Sequence, residues 1–103
     1  MEQIERIREM EEKLNRARAV LDTFSEALSA FSDVQEDVRA LSSYYEGEEW
    51  RKDFEDDEAG KLPQDLKRGV LSEDAVYDLL TDNRELLVEM LEAAADLAKW
   101  GIA

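Results

Sequence analysis

The chain has 103 residues, of which 27 are acidic and 13 are basic, so its formal net charge is -14. It contains no cysteine and no histidine, which excludes disulfides, thiolate or imidazole metal sites and the usual general base of enzymes. The strong negative charge also disfavours nucleic acid and anionic membranes as partners, because both attract surfaces rich in Lys and Arg.

The length and composition predict one folded domain over residues 1–103. About 100 residues can build a single core, and 44% hydrophobic with 39% charged residues is a balance typical of amphipathic helices. No stretch of about 18 apolar residues is present, and the first residues alternate charged with apolar groups. We therefore expect a soluble, cytoplasmic protein.

An apolar seam with helical spacing occupies the first third of the chain. Its members alternate three and four residues apart, which is the heptad spacing of a helix that packs along another helix. The seam consists of Ile7, Met10, Leu14, Ala17, Leu21, Phe24, Leu28 and Phe31. After Phe31 the apolar positions lie one residue ahead of the heptad spacing of the seam. Ser32, followed three residues later by Gln35, has the form of a capping box. This pattern predicts a long helix over about 3–31 and a middle helix over about 33–46.

Residues 48–72 are predicted to form a short-helix connector. Trp50 and Phe54 are four apart and share one face of a short helix, for which Gly60 is a natural stop. Pro63 fixes its own φ and opens one or two further helical turns.

Strong start signals precede the last helix, which is predicted over about 73–99. Ser72 has the position of the N-cap, and Leu71 and Val76 have the spacing of a hydrophobic staple. The apolar band of this helix is wide enough to face two neighbours. The opposite side carries an almost wholly acidic stripe, formed by Asp78, Asp82, Glu85, Glu89, Glu92, Asp96 and Lys99.

Together these elements predict an all-α fold, an elongated helical bundle of two long helices, the middle helix and the connector. The first helix is too long for a compact globule of this size to cover. Packing of the two long helices side by side would bury part of the seam. Self-association as a homodimer would bury the remainder, and the sequence leaves both arrangements open.

Two carboxylate pairs have a spacing that could hold a magnesium or manganese ion. All-helical NTP pyrophosphohydrolases bind Mg²⁺ through E-x-x-E and E-x-x-D pairs on adjacent helices, and the nearest match here is Glu55 with Glu58 followed by Asp82 with Glu85. The second pair is reversed relative to that pattern, and it lies within the acidic stripe. A solvated helix surface explains the same residues, so we expect no metal ion and no cofactor.

The connector permits two interpretations that the sequence does not separate. It is either a structural lock, in which its basic side chains pair with its acidic ones around the apolar anchor Trp50, or an anion-binding site before the last helix. The residues that would carry either role are Trp50, Asp53, Asp57, Gly60, Lys61, Pro63, Asp65, Arg68, Gly69 and Ser72.

The connector also carries a family resemblance. The run is Trp50-x-x-Asp53, then Asp57-Glu58-x-Gly60-x-Leu62-Pro63-x-Asp65-Leu66-x-Arg68-Gly69-Val70-Leu71-Ser72-Glu73-Asp74. It resembles the signature of DUF4298, a family of small bacterial helical proteins known as a domain of unknown function. The resemblance extends over nearly the whole chain. It implies that the connector is the distinctive element of the family, and it implies no activity.

The function expected from these observations is that of a non-enzymatic helical interaction or structural protein, with self-association as one mode. One alternative is a Mg²⁺- or Mn²⁺-dependent NTP phosphohydrolase-like enzyme. The other is an acidic mimic of nucleic acid that binds basic proteins.

Overall fold

The computed structural model describes residues 2–101. Within them the chain forms three α-helices and one 3₁₀ helix and no strand, which confirms the predicted all-α class. The elements in chain order are α1 (Gln3–Glu46), α2 (Glu48–Glu58), the 3₁₀ helix (Gly69–Leu71) and α3 (Ala75–Ala98). In this part of the chain, no helix combines the length and the apolar character needed to cross a lipid bilayer.

The predicted break near Ser32 is wrong, because α1 is one continuous helix. Ser32 and Asp33 each lower the helix propensity by only about 0.5 kcal/mol relative to alanine, and neither glycine nor proline stands at this point. Gln35 donates from Nε2 to the carbonyl oxygen of Phe31 at 3.1 Å, across the turn where the break was expected. No new helix therefore starts at Ser32. The apolar stripe only changes its position around one continuous helix at this point.

The described residues form two units, and the first ends at Glu36 within α1. Every residue from 2 to 30 is exposed. The six large seam residues from Ile7 to Leu28 have exposed fractions between 41% and 60%. This unit therefore has no core of its own, and most helices in proteins depend on the packing of an apolar face for their stability.

The second unit begins at Asp37 and contains the core. Leu71 and Val76, at 6% and 3% exposure, are the two buried apolar residues among those that the structure describes. They stand at the end of the 3₁₀ helix and in the first turn of α3, the two positions predicted for the hydrophobic staple. The 3₁₀ helix packs against both α2 and α3, so the core lies where the connector meets the start of α3.

Two glycines separate the elements on either side of α2. Gly47 follows α1 with a φ of -92°, which other residues also adopt. A Cβ atom at Gly47 would lie 3.2 Å from the carbonyl oxygen of Ser43, so a larger residue there requires a small shift of that carbonyl. Gly60 ends α2 with a φ of 72°, a left-handed conformation that favours glycine.

The segment after α2 is less helical than the sequence predicts. In place of one or two helical turns from Pro63, the structure has a single turn, in which the Leu66 N–H donates to the Pro63 carbonyl oxygen at 3.2 Å. The helical geometry begins only at Gly69, as the 3₁₀ helix. The α-helical geometry of α3 then begins at Ala75, two residues later than predicted.

Candidate functional site

Trp50 is the aromatic anchor of the connector. Its indole Nε1–H donates to the carbonyl oxygen of Val70 in the 3₁₀ helix at 2.9 Å. Its ring meets Tyr45 edge-on, with centroids 5.0 Å apart, and stacks on Phe54 with centroids 5.2 Å apart. One half-buried side chain thus joins the end of α1, the middle of α2 and the 3₁₀ helix.

Arg68 closes the loop between α2 and the 3₁₀ helix. Its guanidinium donates from Nη1 to Asp57 Oδ1 at 2.5 Å and from Nη2 to the Pro63 carbonyl oxygen at 2.5 Å. Its Nε–H donates to the Leu66 carbonyl oxygen at 3.3 Å. The side chains of Arg68 and Asp57 are only 31% and 20% exposed, so solvent weakens this ion pair less than it would a surface pair.

The partner of Asp53 in the structure is Tyr44, whereas the sequence predicts a basic side chain as its partner. The Tyr44 hydroxyl donates to Asp53 Oδ2 at 2.5 Å. Partial burial, together with this hydrogen bond and the charges of Asp53 and Glu49, raises the pKa of Tyr44 to about 12. The neighbouring Tyr45 hydroxyl donates to the Glu73 carbonyl oxygen at 3.3 Å, so the two tyrosines tie the end of α1 to α2 and to the segment before α3.

The other charged residues of the connector pair less than the lock interpretation assumes. Lys61 Nζ lies 4.0 Å from Asp56 Oδ1, and Lys52 Nζ lies 3.2 Å from Asp56 Oδ2. Within residues 2–101, Lys67 and Asp65 form no ion pair, and both are exposed. The sequence reasoning missed Asp56, although its spacing of four from Lys52 is a recognised signal for a helical ion pair.

Ser72, predicted as the N-cap of the last helix, lies three residues before α3, and Asp74 takes the N-cap position without a side-chain cap bond. The Oγ of Ser72 still accepts a hydrogen bond from the Ala75 backbone N–H at 3.1 Å. The acidic residues Glu73 and Asp74 follow it directly. Negative side chains already stand where an anion would have to bind, which weakens the anion-site interpretation.

The structure keeps the two predicted carboxylate pairs on separate helices. Glu55 and Glu58 lie on α2, Asp82 and Glu85 lie on α3, and all four are exposed. Among the residues described, no group of three or more acidic side chains is arranged to hold a metal ion. Asp82 and Glu85 instead line an open groove on α3, together with Leu86 and Glu89.

A second open groove, of about 390 Å³, lies between the end of α1 and the first half of α3. Tyr45 and Glu46 line it from α1, and Tyr77, Leu80 and Arg84 line it from α3. The sequence does not indicate this groove, because its two sides are about 30 residues apart in the chain and neither carries a motif.

Both faces of α3 are exposed along most of its length. Its apolar band includes Leu79, Leu86, Leu87, Leu91 and Leu97, none of which is less than 41% exposed. The acidic residues of its stripe are exposed as well. The ion pair that the structure shows within the stripe joins Lys99 to Asp96 at 3.9 Å.

In the described residues, the chain is an all-α protein in which a short aromatic helix and a 3₁₀ helix join two longer helices. The chain belongs to the DUF4298 family, described as a domain of unknown function, whose sequence model matches residues 7–93. The match includes the whole connector and most of α1 and α3, and it confirms the family resemblance. No curated protein and no solved structure matches the chain significantly.

Proposed function

We propose that the protein is a non-enzymatic interaction protein that binds protein partners through the apolar faces of α1 and α3. The exposure of these faces carries the proposal. The chain exposes 9005 Å², whereas a folded monomer of its mass of 11.9 kDa is expected to expose about 5,900 Å². Monomeric proteins seldom expose contiguous apolar patches of more than a few hundred Å². Association would bring these faces out of water.

The connector supports this proposal as a structural lock. The side chains of Trp50, Arg68 and Tyr44 all bond to other parts of the second unit. These contacts hold α2 and the 3₁₀ helix in place, and all three nitrogens of the Arg68 guanidinium donate to groups within the connector. We infer that the lock sets the geometry of the second unit, and that the exposed helix faces do the binding.

The exposed acidic stripe of α3 favours a second binding mode, in which a basic protein surface is the partner. Asp78, Asp82, Glu85, Glu89 and Glu92 recur every three or four residues along one side of the helix. Association through this stripe would weaken steeply as the salt concentration rises. Association through the apolar faces would not weaken in this way, so salt dependence distinguishes the two modes. A cytoplasmic location stays a prediction from the sequence.

Photo-crosslinking tests the proposal in cells of the source organism. A benzophenone amino acid is placed at Phe24 in the seam, at Leu91 in α3, and, as a control, at Glu12 on the charged side of α1. We expect protein adducts at Phe24 or Leu91 and few at Glu12. The absence of adducts at both apolar positions would contradict the proposal.

The enzyme alternative is tested separately by isothermal titration with Mg²⁺ and Mn²⁺. The exposed positions of Glu55, Glu58, Asp82 and Glu85 predict binding no tighter than about millimolar, since a tight site needs several oxygen ligands around one ion. A tighter site that is lost in a Glu55→Gln variant would favour the enzyme.

A further inference from the structure

We infer that the seam of α1 binds the same seam of a second copy of this chain, with the two helices antiparallel. This inference rests on the proposed function, because it names the partner of one of the two apolar faces. It draws on three features of residues 2–36: the area of the seam, the sizes of its side chains and the charges beside it.

The area of the seam suits a dimer. Its large residues from Ile7 to Leu28 are about half exposed, as are the flanking Val20 and Val34. Complete burial of the exposed part of these eight side chains, about 100 Å² each, sets an upper limit of about 800 Å² for one copy and about 1,600 Å² for two copies. This limit equals the size of a standard stable protein interface. A stable dimer therefore has to bury nearly the whole length of the seam.

Side-chain size selects the antiparallel orientation. A parallel dimer would stack Ala17 on Ala17 and Phe24 on Phe24, which leaves one layer underfilled and another overfilled. In an antiparallel dimer centred near Ala19, the eight seam residues form four layers, each present twice. No layer then joins two alanines or two phenylalanines, so the layers are more even in volume. The layers are Ala17 with Leu21, Leu14 with Phe24, Met10 with Leu28, and Ile7 with Phe31 of the second copy.

The flanking charges permit either orientation. A parallel dimer would place Lys13 beside Arg18 of the second copy, twice, with like charges adjacent, and Arg6 beside Glu11, twice, with opposite charges adjacent. In the antiparallel dimer Lys13 instead faces Ala27, and Val20 faces Val20. Arg18 then faces Arg18, but Asp22 of the same helix lies 3.4 Å from its guanidinium and offsets that charge.

The charge of the whole chain also permits this contact. Residues 2–36 carry nine acidic and five basic side chains, so this segment contributes only -4 of the total of -14. Most of the mutual repulsion between two copies therefore arises outside the seam and is screened at physiological salt. The inferred dimer is expected to strengthen as salt rises from low to physiological concentration, opposite to binding through the acidic stripe.

Sedimentation equilibrium of the full chain tests whether the second copy is the partner. Leu14→Glu places a charge in the seam, and Ala19→Glu places the same charge on the opposite side of α1 as a matched control. We expect dimers for the wild type and for Ala19→Glu at about 100 μM, and a dissociation constant at least 100-fold higher for Leu14→Glu. A monomeric wild type, or equal effects of the two substitutions, would overturn the inference.

Disulfide trapping tests the orientation, because the chain has no cysteine of its own. A double variant, Met10→Cys with Leu28→Cys, is expected to form a covalent dimer on oxidation. Met10→Cys alone should not, since the two copies of residue 10 would lie about 27 Å apart along an antiparallel pair. Efficient cross-linking of Met10→Cys alone would show a parallel dimer and would overturn the inferred orientation.

The two proposals fail in distinguishable ways. Adducts of Phe24 with other proteins, in a chain that sediments as a monomer, would overturn the second-copy inference and support the interaction function. Adducts between two copies, with dimers in sedimentation, support both. The absence of adducts at Phe24 and at Leu91 would overturn the interaction function itself.

Discussion

Replacement of Trp50 by alanine is expected to destabilise the second unit strongly, because the connector converges on this side chain. The substitution removes two ring contacts and the hydrogen bond to Val70. Removal of a buried tryptophan costs about 3 to 5 kcal/mol, and we take the lower end because Trp50 is half-buried. A loss of about 3 kcal/mol lowers the melting temperature by about 12 to 24 °C in a domain of this size. Circular dichroism at 222 nm, at one fixed protein concentration, measures the shift.

Trp100 provides the matched control, because it is 73% exposed. Trp100→Ala is expected to change the stability by no more than about 0.5 kcal/mol. Trp50→Phe should fall between the two at about 1 to 2 kcal/mol, since it keeps one aromatic ring but loses the hydrogen bond to Val70 and part of the packing of the indole. Equal melting temperatures for Trp50→Ala and Trp100→Ala would refute the lock and would favour an external ligand for the connector.

Three further predictions concern the other contacts of the connector. Arg68→Lys keeps the charge but loses the planar guanidinium that reaches both Asp57 and the backbone. Urea unfolding should therefore show a free energy of unfolding lower by about 1 to 2 kcal/mol. An unchanged urea midpoint would contradict this prediction. The pKa of Tyr44, raised to about 12 from 10.0, means that its stabilising contribution is complete below pH 10 and is lost as the pH rises towards 12. Unfolding from pH 9 to 12 should therefore show a steeper loss for the wild type than for Tyr44→Phe, and parallel curves would argue against it. Ser72→Ala should cost about 1 kcal/mol by loss of the hydrogen bond that its Oγ accepts from the Ala75 N–H, whereas Ser25→Ala, at an exposed position inside α1, should not destabilise the protein.

Local signals predicted much of the fold. The buried pair Leu71 and Val76 follows from the staple spacing, and the end of α1 at Glu46 agrees with the predicted end of the middle helix. The capping-box signal at Ser32 misled the prediction, because such a pattern permits a helix to start but does not oblige the preceding helix to end. Only a glycine, a proline or a competing tertiary contact would have imposed a break there.

Contacts distant in sequence were harder to predict. Trp50 was identified as an anchor from its residue type, but its acceptor at Val70 is 20 residues away and is a backbone carbonyl oxygen, which no side-chain pattern reveals. Charge alone predicted a basic partner for Asp53, whereas the structure brings the Tyr44 hydroxyl to it. A hydroxyl donor carries no charge signal, so only the geometry of the α1–α2 turn could identify this pair.

Hydrogen–deuterium exchange across residues 7–31, measured at increasing protein concentration, tests most directly the claim that the seam is a binding surface. A helix with no packed face opens readily, and its amide hydrogens then exchange rapidly with solvent. The account predicts protection of these amides that rises with concentration and is lost in Leu14→Glu but not in Ala19→Glu. Protection that does not change with concentration, or that is the same in both variants, would contradict it.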